Sequence, residues 1–227
     1  MERKRRTLLV GLGLTMAMLA VPAFAQTGKY KEAPDLASQV TAGKLPPVER
    51  RLPENPLVVP VVERAGDYGG VWRRAFLGPA DANNYVRVVY DGLFRFSPDG
   101  AKIEPKIAAG AESSADFKVW TIRLRKGSRW SDGAPFGADD IMFWYKDVLL
   151  NKDLTPAITG WVRNNDGTPM RAEKIDDQTV RFTYTNPATL FLTAVANQDG
   201  AARLVNSWVQ VLKPAACAIF SISAIGV

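Results

Sequence analysis

The sequence has no histidine and only one cysteine, Cys217, among its 227 residues. Without histidine, Ser-His and Cys-His nucleophilic pairs and imidazole-based zinc sites are excluded. One cysteine cannot form a disulfide within a monomer. Sites built only from carboxylates stay open, but the acidic pairs Asp139-Asp140 and Asp176-Asp177 fall at a predicted helix start and a predicted turn. The sequence therefore disfavours an enzyme, and it predicts no metal and no cofactor.

A strongly basic surface is also lacking once the charges are located. The chain carries 29 basic and 23 acidic residues, a formal net charge of +6. The first 25 residues, with four basic side chains and one acid, hold half of that excess. Elsewhere the basic residues are interspersed with acids, and they form no stripe with aromatic residues as a nucleic-acid groove requires. We therefore predict no nucleic-acid partner.

The first 25 residues have the form of a secretory signal peptide. The basic stretch Arg3–Arg6 precedes the apolar stretch Leu8–Val21, and Ala23-Phe24-Ala25 is a small-x-small cleavage site. We expect cleavage after Ala25 and export into a periplasm, and Arg5-Arg6 leaves both the Sec and the twin-arginine route open. The alternative is an uncleaved signal anchor, because Thr7–Ala25 could nearly span a bilayer.

The segment Val119–Tyr145 carries the most structural information. Its first six residues alternate between apolar and polar side chains, with Trp120, Ile122 and Leu124 on one face, which predicts a half-buried strand. Two turns follow, each ending at a glycine that accepts positive φ: Arg125-Lys126-Gly127 and Ser131-Asp132-Gly133.

A helix is predicted after Pro135 in the same segment. Asp139 and Asp140 fall in its first turn, where the helix dipole favours negative charge. Four apolar positions follow the helical spacing i, i+3, i+4 and i+7, so the helix should bury one aromatic face: Ile141, Trp144, Tyr145 and Val148.

This segment resembles the signature of the family 5 extracytoplasmic solute-binding proteins, which serve ABC importers of peptides, nickel and oligosaccharides. The matching runs are Leu124–Gly127, Trp130–Phe136 and Gly137–Asp140. Gly137 stands where the family usually has threonine. Since glycine is a slightly weaker N-cap, that departure alone predicts a loss of a few tenths of a kcal/mol.

The remaining chain reads as a mixture of helices and strands without βαβ repetition, a mixed α/β (α+β) class. Residues 26–66 form a proline-rich, extended lead-in with room for one short helix from about Pro34 to Ala42. Further elements are predicted in chain order: a first strand at Tyr68–Phe76, a helix at Asn83–Asp91, a strand at Leu93–Phe96 ending at the turn Ser97–Gly100, and a strand containing Val180, Phe182 and Tyr184 after the turn Asp176–Gln178. After Pro187, four residues are predicted to be buried: Leu190, Phe191, Leu192 and Val195.

The resemblance implies a type II periplasmic-binding-protein-like fold, of which residues 67–203 would supply the first lobe and its subdomain. The second lobe would be missing. Residues 204–227 are apolar, with Lys213 as their only charge, and the resemblance ends near Arg203. We expect a truncated or frame-shifted family member. The alternative is a small secreted interaction protein that oligomerises through this tail.

The resemblance also implies where ligand would bind. By position, the loop after the first strand faces the cleft, which gives the candidates Gly78, Pro79, Ala80, Asp81, Asn83 and Tyr85. Equally, this loop could be a plain strand-to-helix turn in which Asp81 or Asn83 caps the helix. Trp161, on a polar connection, could form a stacking wall for a sugar or a side chain, or could simply be packed.

A family member captures a peptide or oligosaccharide in the periplasm, closes over it and docks on an inner-membrane ABC permease. The resemblance thus implies a monomeric binding protein that performs no covalent chemistry. Because a cleft needs two walls, we expect this chain alone to bind weakly or not at all. Fold does not determine which solute is bound.

Overall fold

The computed structural model describes residues 30–61, 63–69, 71, 73, 75, 77–78, 92–130 and 132–197. The signal segment, the predicted helix at 83–91 and the apolar tail at 204–227 lie outside the described residues. Within the described part, no helix is long and apolar enough to cross a membrane.

The lead-in contains two short helices. Helix α1 is Pro34–Thr41, which confirms the predicted helix. Proline is favoured at its first position, because a backbone N–H there would have no hydrogen-bond partner within the helix. Helix α2, Val48–Arg51, was not predicted, because four residues between two prolines give no helical period. Val48 and Leu52 are buried, so α2 is stabilised by packing and not by its length.

The lead-in is attached to the turn that follows the central strand. The Arg125 guanidinium donates a hydrogen bond to the Asn55 carbonyl at 2.7 Å, and the Glu54 amide donates to the Lys126 carbonyl at 3.0 Å. Farther back, Glu32 and Arg51 form a largely buried ion pair. The lead-in thus packs along the surface of the domain. This is expected of a proline-rich segment that has no core of its own.

Two antiparallel strands, β1 (Phe94–Phe96) and β2 (Ile103–Pro105), form a hairpin. The predicted turn between them is present, since Gly100 has φ of +72° and its amide donates to the Ser97 carbonyl at 2.8 Å. This confirms both the short strand and its turn.

A four-stranded antiparallel sheet forms the centre of the described fold, in the order β3-β4-β6-β5. These strands are β3 (Ala108–Ser113), β4 (Val119–Leu124), β5 (Arg171–Asp176) and β6 (Thr179–Thr183). Together with the helices, the sheet confirms the mixed α and β class.

The sheet is apolar on one face and charged on the other, as the alternation in β4 and β6 predicts. Trp120 lies opposite Phe182 and Ile122 opposite Val180, and all four are buried. On the outer face, ion pairs such as Arg181–Glu173, at 3.0 Å, join neighbouring strands. Such cross-strand pairs hold the register of a sheet whose other face must stay buried.

The buried face is covered by helix α3 (Ala138–Phe143), which continues directly as a π-helical stretch, Trp144–Leu149. Ile141, Trp144 and Val148 are buried and Tyr145 is half-buried, so the predicted face is confirmed except that Tyr145 is partly exposed. The regular α-helix expected there is wrong after Phe143, because the Leu150 amide donates to the Tyr145 carbonyl at 3.1 Å, a spacing of five residues.

Two other expectations are corrected. The described residues of the predicted first strand, Tyr68, Gly69, Val71, Arg73 and Ala75, are in no strand, and Val71 is 81% exposed. Leu190, predicted to be buried, is 72% exposed because it precedes helix α4 (Phe191–Ala196), whose periodicity turns Phe191 and Val195 inward instead.

Candidate functional site

The acidic pairs have structural roles at one end of the sheet. The Asp140 carboxylate accepts the Gly137 amide at 2.8 Å, which caps the start of α3. The Lys174 ammonium bridges Asp139 and Asp177 at 2.9 and 2.7 Å, and the hydrogen bonds to Asp177 and Asp139 raise the pKa of Lys174 to about 12. Among the described residues, no group of three or more Asp, Glu, His or Cys side chains is arranged to hold a metal ion.

Replacement of Asp140 by alanine should lower the free energy of unfolding by about 1–2 kcal/mol, since the buried Asp140 carboxylate caps the helix. Asp139→Ala is the matched control, because Asp139 is exposed and should change stability by less than about 0.5 kcal/mol. Urea unfolding followed by circular dichroism measures both. Equal effects of the two substitutions would contradict the assignment of the cap to Asp140.

A groove lies at the opposite end of β6, where two segments that are distant in sequence meet, residues 160–165 and residues 184–197. It has a volume of about 440 Å³ and is bordered by the 3₁₀ turn Gly160–Val162, the loop after β6 and helix α4. We call it the Trp161 groove. Its lining residues are Gly160, Trp161, Arg163, Asn165, Tyr184, Asn186, Pro187, Ala188, Thr189, Leu190, Phe191, Thr193, Ala194 and Asn197.

Trp161 is held in the groove by rings and by the backbone. Its indole stacks on that of Trp144, with centroids 6.1 Å apart and planes inclined by 2°, and the Phe191 ring lies at 6.2 Å. The Tyr184 hydroxyl donates to the Trp161 carbonyl at 2.9 Å, and burial raises the pKa of Tyr184, so the phenol stays protonated near neutral pH. Trp161 is half-buried, and its remaining surface borders the groove.

A buried amide that the sequence analysis did not single out fixes the turn beside Trp161. Asn164 donates to the Thr168 hydroxyl at 3.0 Å and to the Pro169 carbonyl at 3.2 Å, and it accepts the Thr185 amide at 3.0 Å. This joins the turn at 164–168 to the end of β6. The Asn-Asn-Asp-Gly sequence at 164–167 is a turn signal that could have indicated the position.

The rim of the groove is polar. The side chains of Arg163, Asn165, Thr189 and Thr193 are exposed. None of the described lining residues is Asp or Glu.

The structure brings one predicted ligand residue, Trp161, into a groove. Gly78 is described and has φ of +118°, a conformation that favours glycine, and no atom of the described residues lies within 4 Å of an added Cβ. The other candidates, Pro79, Ala80, Asp81, Asn83 and Tyr85, lie outside the described residues, so their role stays a prediction.

Residues 102–208 match the model of the bacterial extracellular solute-binding proteins, family 5, middle region. This stretch contains the signature strand, its turns and the Trp161 groove, and it runs a little past Arg203, where we expected the resemblance to end. Residues 102–208 are therefore similar to family 5, as the signature indicated.

Curated relatives and solved structures agree with this family. The chain is 33% identical over 165 residues to a periplasmic alpha-galactoside-binding protein of Rhizobium meliloti, a match that covers 64% of this chain and 24% of the relative. It is 28% identical over 121 residues to the periplasmic oligopeptide-binding protein OppA of Salmonella typhimurium, covering 48% of this chain and 22% of the relative.

Two solved structures share the fold. An oligopeptide-binding protein OppA superposes with a TM-score of 0.70 and 39% identity, over 78% of this chain and 28% of that one. The periplasmic binding protein MelB of Agrobacterium fabrum, solved with stachyose, superposes with a TM-score of 0.52 and 28% identity. The match covers 74% of this chain and 28% of that one. The chain spans about a quarter of the length of these proteins.

Proposed function

We propose that the protein carrying this sequence is the periplasmic solute-binding component of an ABC importer for oligosaccharides or peptides. The observation that carries the proposal is the family 5 match over residues 102–208, supported by the superposition on a solved oligopeptide-binding protein. Such a protein captures solute, closes over it and delivers it to an inner-membrane permease. It performs no covalent chemistry, acts as a monomer and is exported by the signal segment cleaved after Ala25.

Ligand would contact two parts of this chain. The first is the loop that begins at Gly78, whose open positive-φ backbone leaves room for close approach. The second is the Trp161 groove, which offers an aromatic wall beside polar side chains, the usual composition of a small-molecule site. The names of the relatives support both solute classes, since one binds an alpha-galactoside and another an oligopeptide.

The chain by itself should bind solute only weakly. The groove is open to water on one side, so a ligand would bury part of its surface and keep the rest hydrated. We therefore expect dissociation constants of about 1 mM or weaker, near −4 kcal/mol.

Titration of the purified chain with stachyose, with a tripeptide and with a nickel salt, followed by ¹H–¹⁵N NMR, tests the proposal. Saturable shifts with a saccharide or a peptide, without breakdown of either compound, are expected. Hydrolysis of a ligand would contradict the proposal, and the absence of any shift at 20-fold above ~1 mM would contradict contact between solute and this part of the chain. Micromolar affinity would contradict the expectation of weak binding.

A further inference from the structure

We infer that the Trp161 groove is a subsite for an uncharged sugar ring, with Trp161 as its stacking platform and Asn165 and Thr189 as partners for sugar hydroxyls. The inference rests on the proposed function and names its solute class. It follows from three properties of the groove, namely a fixed aromatic surface, unused neutral hydrogen-bonding groups and the lack of carboxylates.

The aromatic surface is fixed before any ligand arrives. Trp161 is stacked on Trp144 at 2°, and the Tyr184 hydroxyl holds its carbonyl at 2.9 Å. Since the ring is already ordered, a ligand that packs on it loses little additional conformational entropy. The C–H groups on one side of a pyranose ring are weakly positive, and they complement the electron-rich face of an indole.

The polar rim has unused hydrogen-bonding capacity. The side chains of Asn165, Thr189 and Thr193 are exposed and form no hydrogen bond with other described residues. Amide and hydroxyl groups both donate and accept, as sugar hydroxyls do. A rim of this kind matches a polyol, whereas a purely apolar rim would match an aliphatic side chain.

The charges of the groove argue against a peptide ammonium or a metal ion. No Asp or Glu is among the described lining residues, so a cation would find no carboxylate there. Arg163 is the one charged lining residue described, and it is exposed, where water weakens an ion pair. Its guanidinium still donates hydrogen bonds to neutral oxygens. The volume of about 440 Å³ lies within the range of ~300–1,000 Å³ common for small-ligand sites.

The test uses the indole N–H signals of the ¹⁵N-labelled chain, which report each tryptophan separately. Stachyose should shift the Trp161 signal saturably. Trp161→Ala should weaken stachyose binding about tenfold or more, and Asn165→Ala about threefold. Trp161→Phe retains a flat ring and should weaken binding about threefold, which keeps the test usable if the alanine variant does not fold.

Two control variants lie away from the groove. Trp130 packs edge-on against Phe136 at 5.2 Å, so Trp130→Phe removes a tryptophan without touching the platform. Asn55 is exposed and accepts the Arg125 guanidinium with its backbone carbonyl, which Asn55→Ala retains, so this variant matches Asn165→Ala. Both should leave stachyose affinity unchanged.

Other outcomes separate this inference from the proposed function. If a tripeptide or galacturonate shifts Trp161 and stachyose does not, the neutral-sugar subsite is wrong while a solute-binding role stands. Stachyose binding that Trp161→Ala and Trp161→Phe leave unchanged would likewise place the sugar elsewhere. If no solute of any class binds, the proposed contact of solute with this part of the chain is overturned together with the subsite.

Discussion

Phe191→Ala is expected to lower the free energy of unfolding by about 3–5 kcal/mol. Phe191 is 2% exposed, and its ring lies 5.2 Å from that of Trp120 and 5.5 Å from that of Phe182. Truncation would leave a cavity between helix α4 and the sheet that rigid neighbours cannot fill. Since small domains are stable by only ~5–15 kcal/mol, the variant should be close to unfolded at 37 °C.

Leu190→Ala is the matched control for Phe191→Ala. The two residues are adjacent and both large and apolar, but Leu190 is 72% exposed. Its removal should change stability by less than about 0.5 kcal/mol. Urea unfolding followed by tryptophan fluorescence compares them. A loss for Leu190→Ala as large as that for Phe191→Ala would show that the start of α4 is buried, as the apolar run from 190 to 192 alone had suggested.

Gly137→Thr is expected to destabilise the protein by about 1–3 kcal/mol, although threonine is the usual residue of the family at this position. A Cβ atom on Gly137 would stand 2.8 Å from the Asp177 carbonyl oxygen, which accepts the Ala138 amide at 2.9 Å. Any side chain would force the helix start and the β5–β6 turn apart. That strain should outweigh the few tenths of a kcal/mol gained from a better cap.

A second glycine provides the comparison for Gly137. Gly110 lies in β3 with negative φ, and no atom of the described part of the chain is within 4 Å of an added Cβ. Gly110→Ala should therefore be neutral or stabilising by up to ~1 kcal/mol. Thermal unfolding of the two variants shows whether the better N-cap of threonine or the short distance to the Asp177 carbonyl has the larger effect on stability at position 137. If Gly137→Thr raises the melting temperature, the Asp177 carbonyl does not prevent a side chain at position 137, and the prediction is wrong.

Local sequence patterns were sufficient where a short segment decides its own structure. The alternation in β4 and β6 predicted which side chains face the core, because successive residues of a strand point to opposite faces. The turn at Ser97–Gly100 and the acidic start of α3 followed from the conformational preferences of glycine and aspartate. The family signature coincides with these segments.

Patterns failed where contacts between distant segments decide the structure. Helix α2 is too short to show a period and depends on the burial of Val48. The change from α- to π-helical bonding at Trp144 follows the same apolar spacing that a regular helix would have. The exposure of Leu190 depends on where α4 begins, and the apolar stretch from 190 to 192 contains no residue that specifies this start.

The sequence by itself indicated the resemblance to family 5, and it determined the signature elements and the exclusion of histidine-based chemistry, because these depend on residue identity and short-range order. Only the tertiary structure decided that Trp161 lies in a groove, stacked on Trp144 and bordered by the start of α4. It also showed that the Asp177 carbonyl, forty residues away along the chain, leaves no room for a side chain on Gly137. Both depend on packing between segments, which side-chain periodicity does not encode.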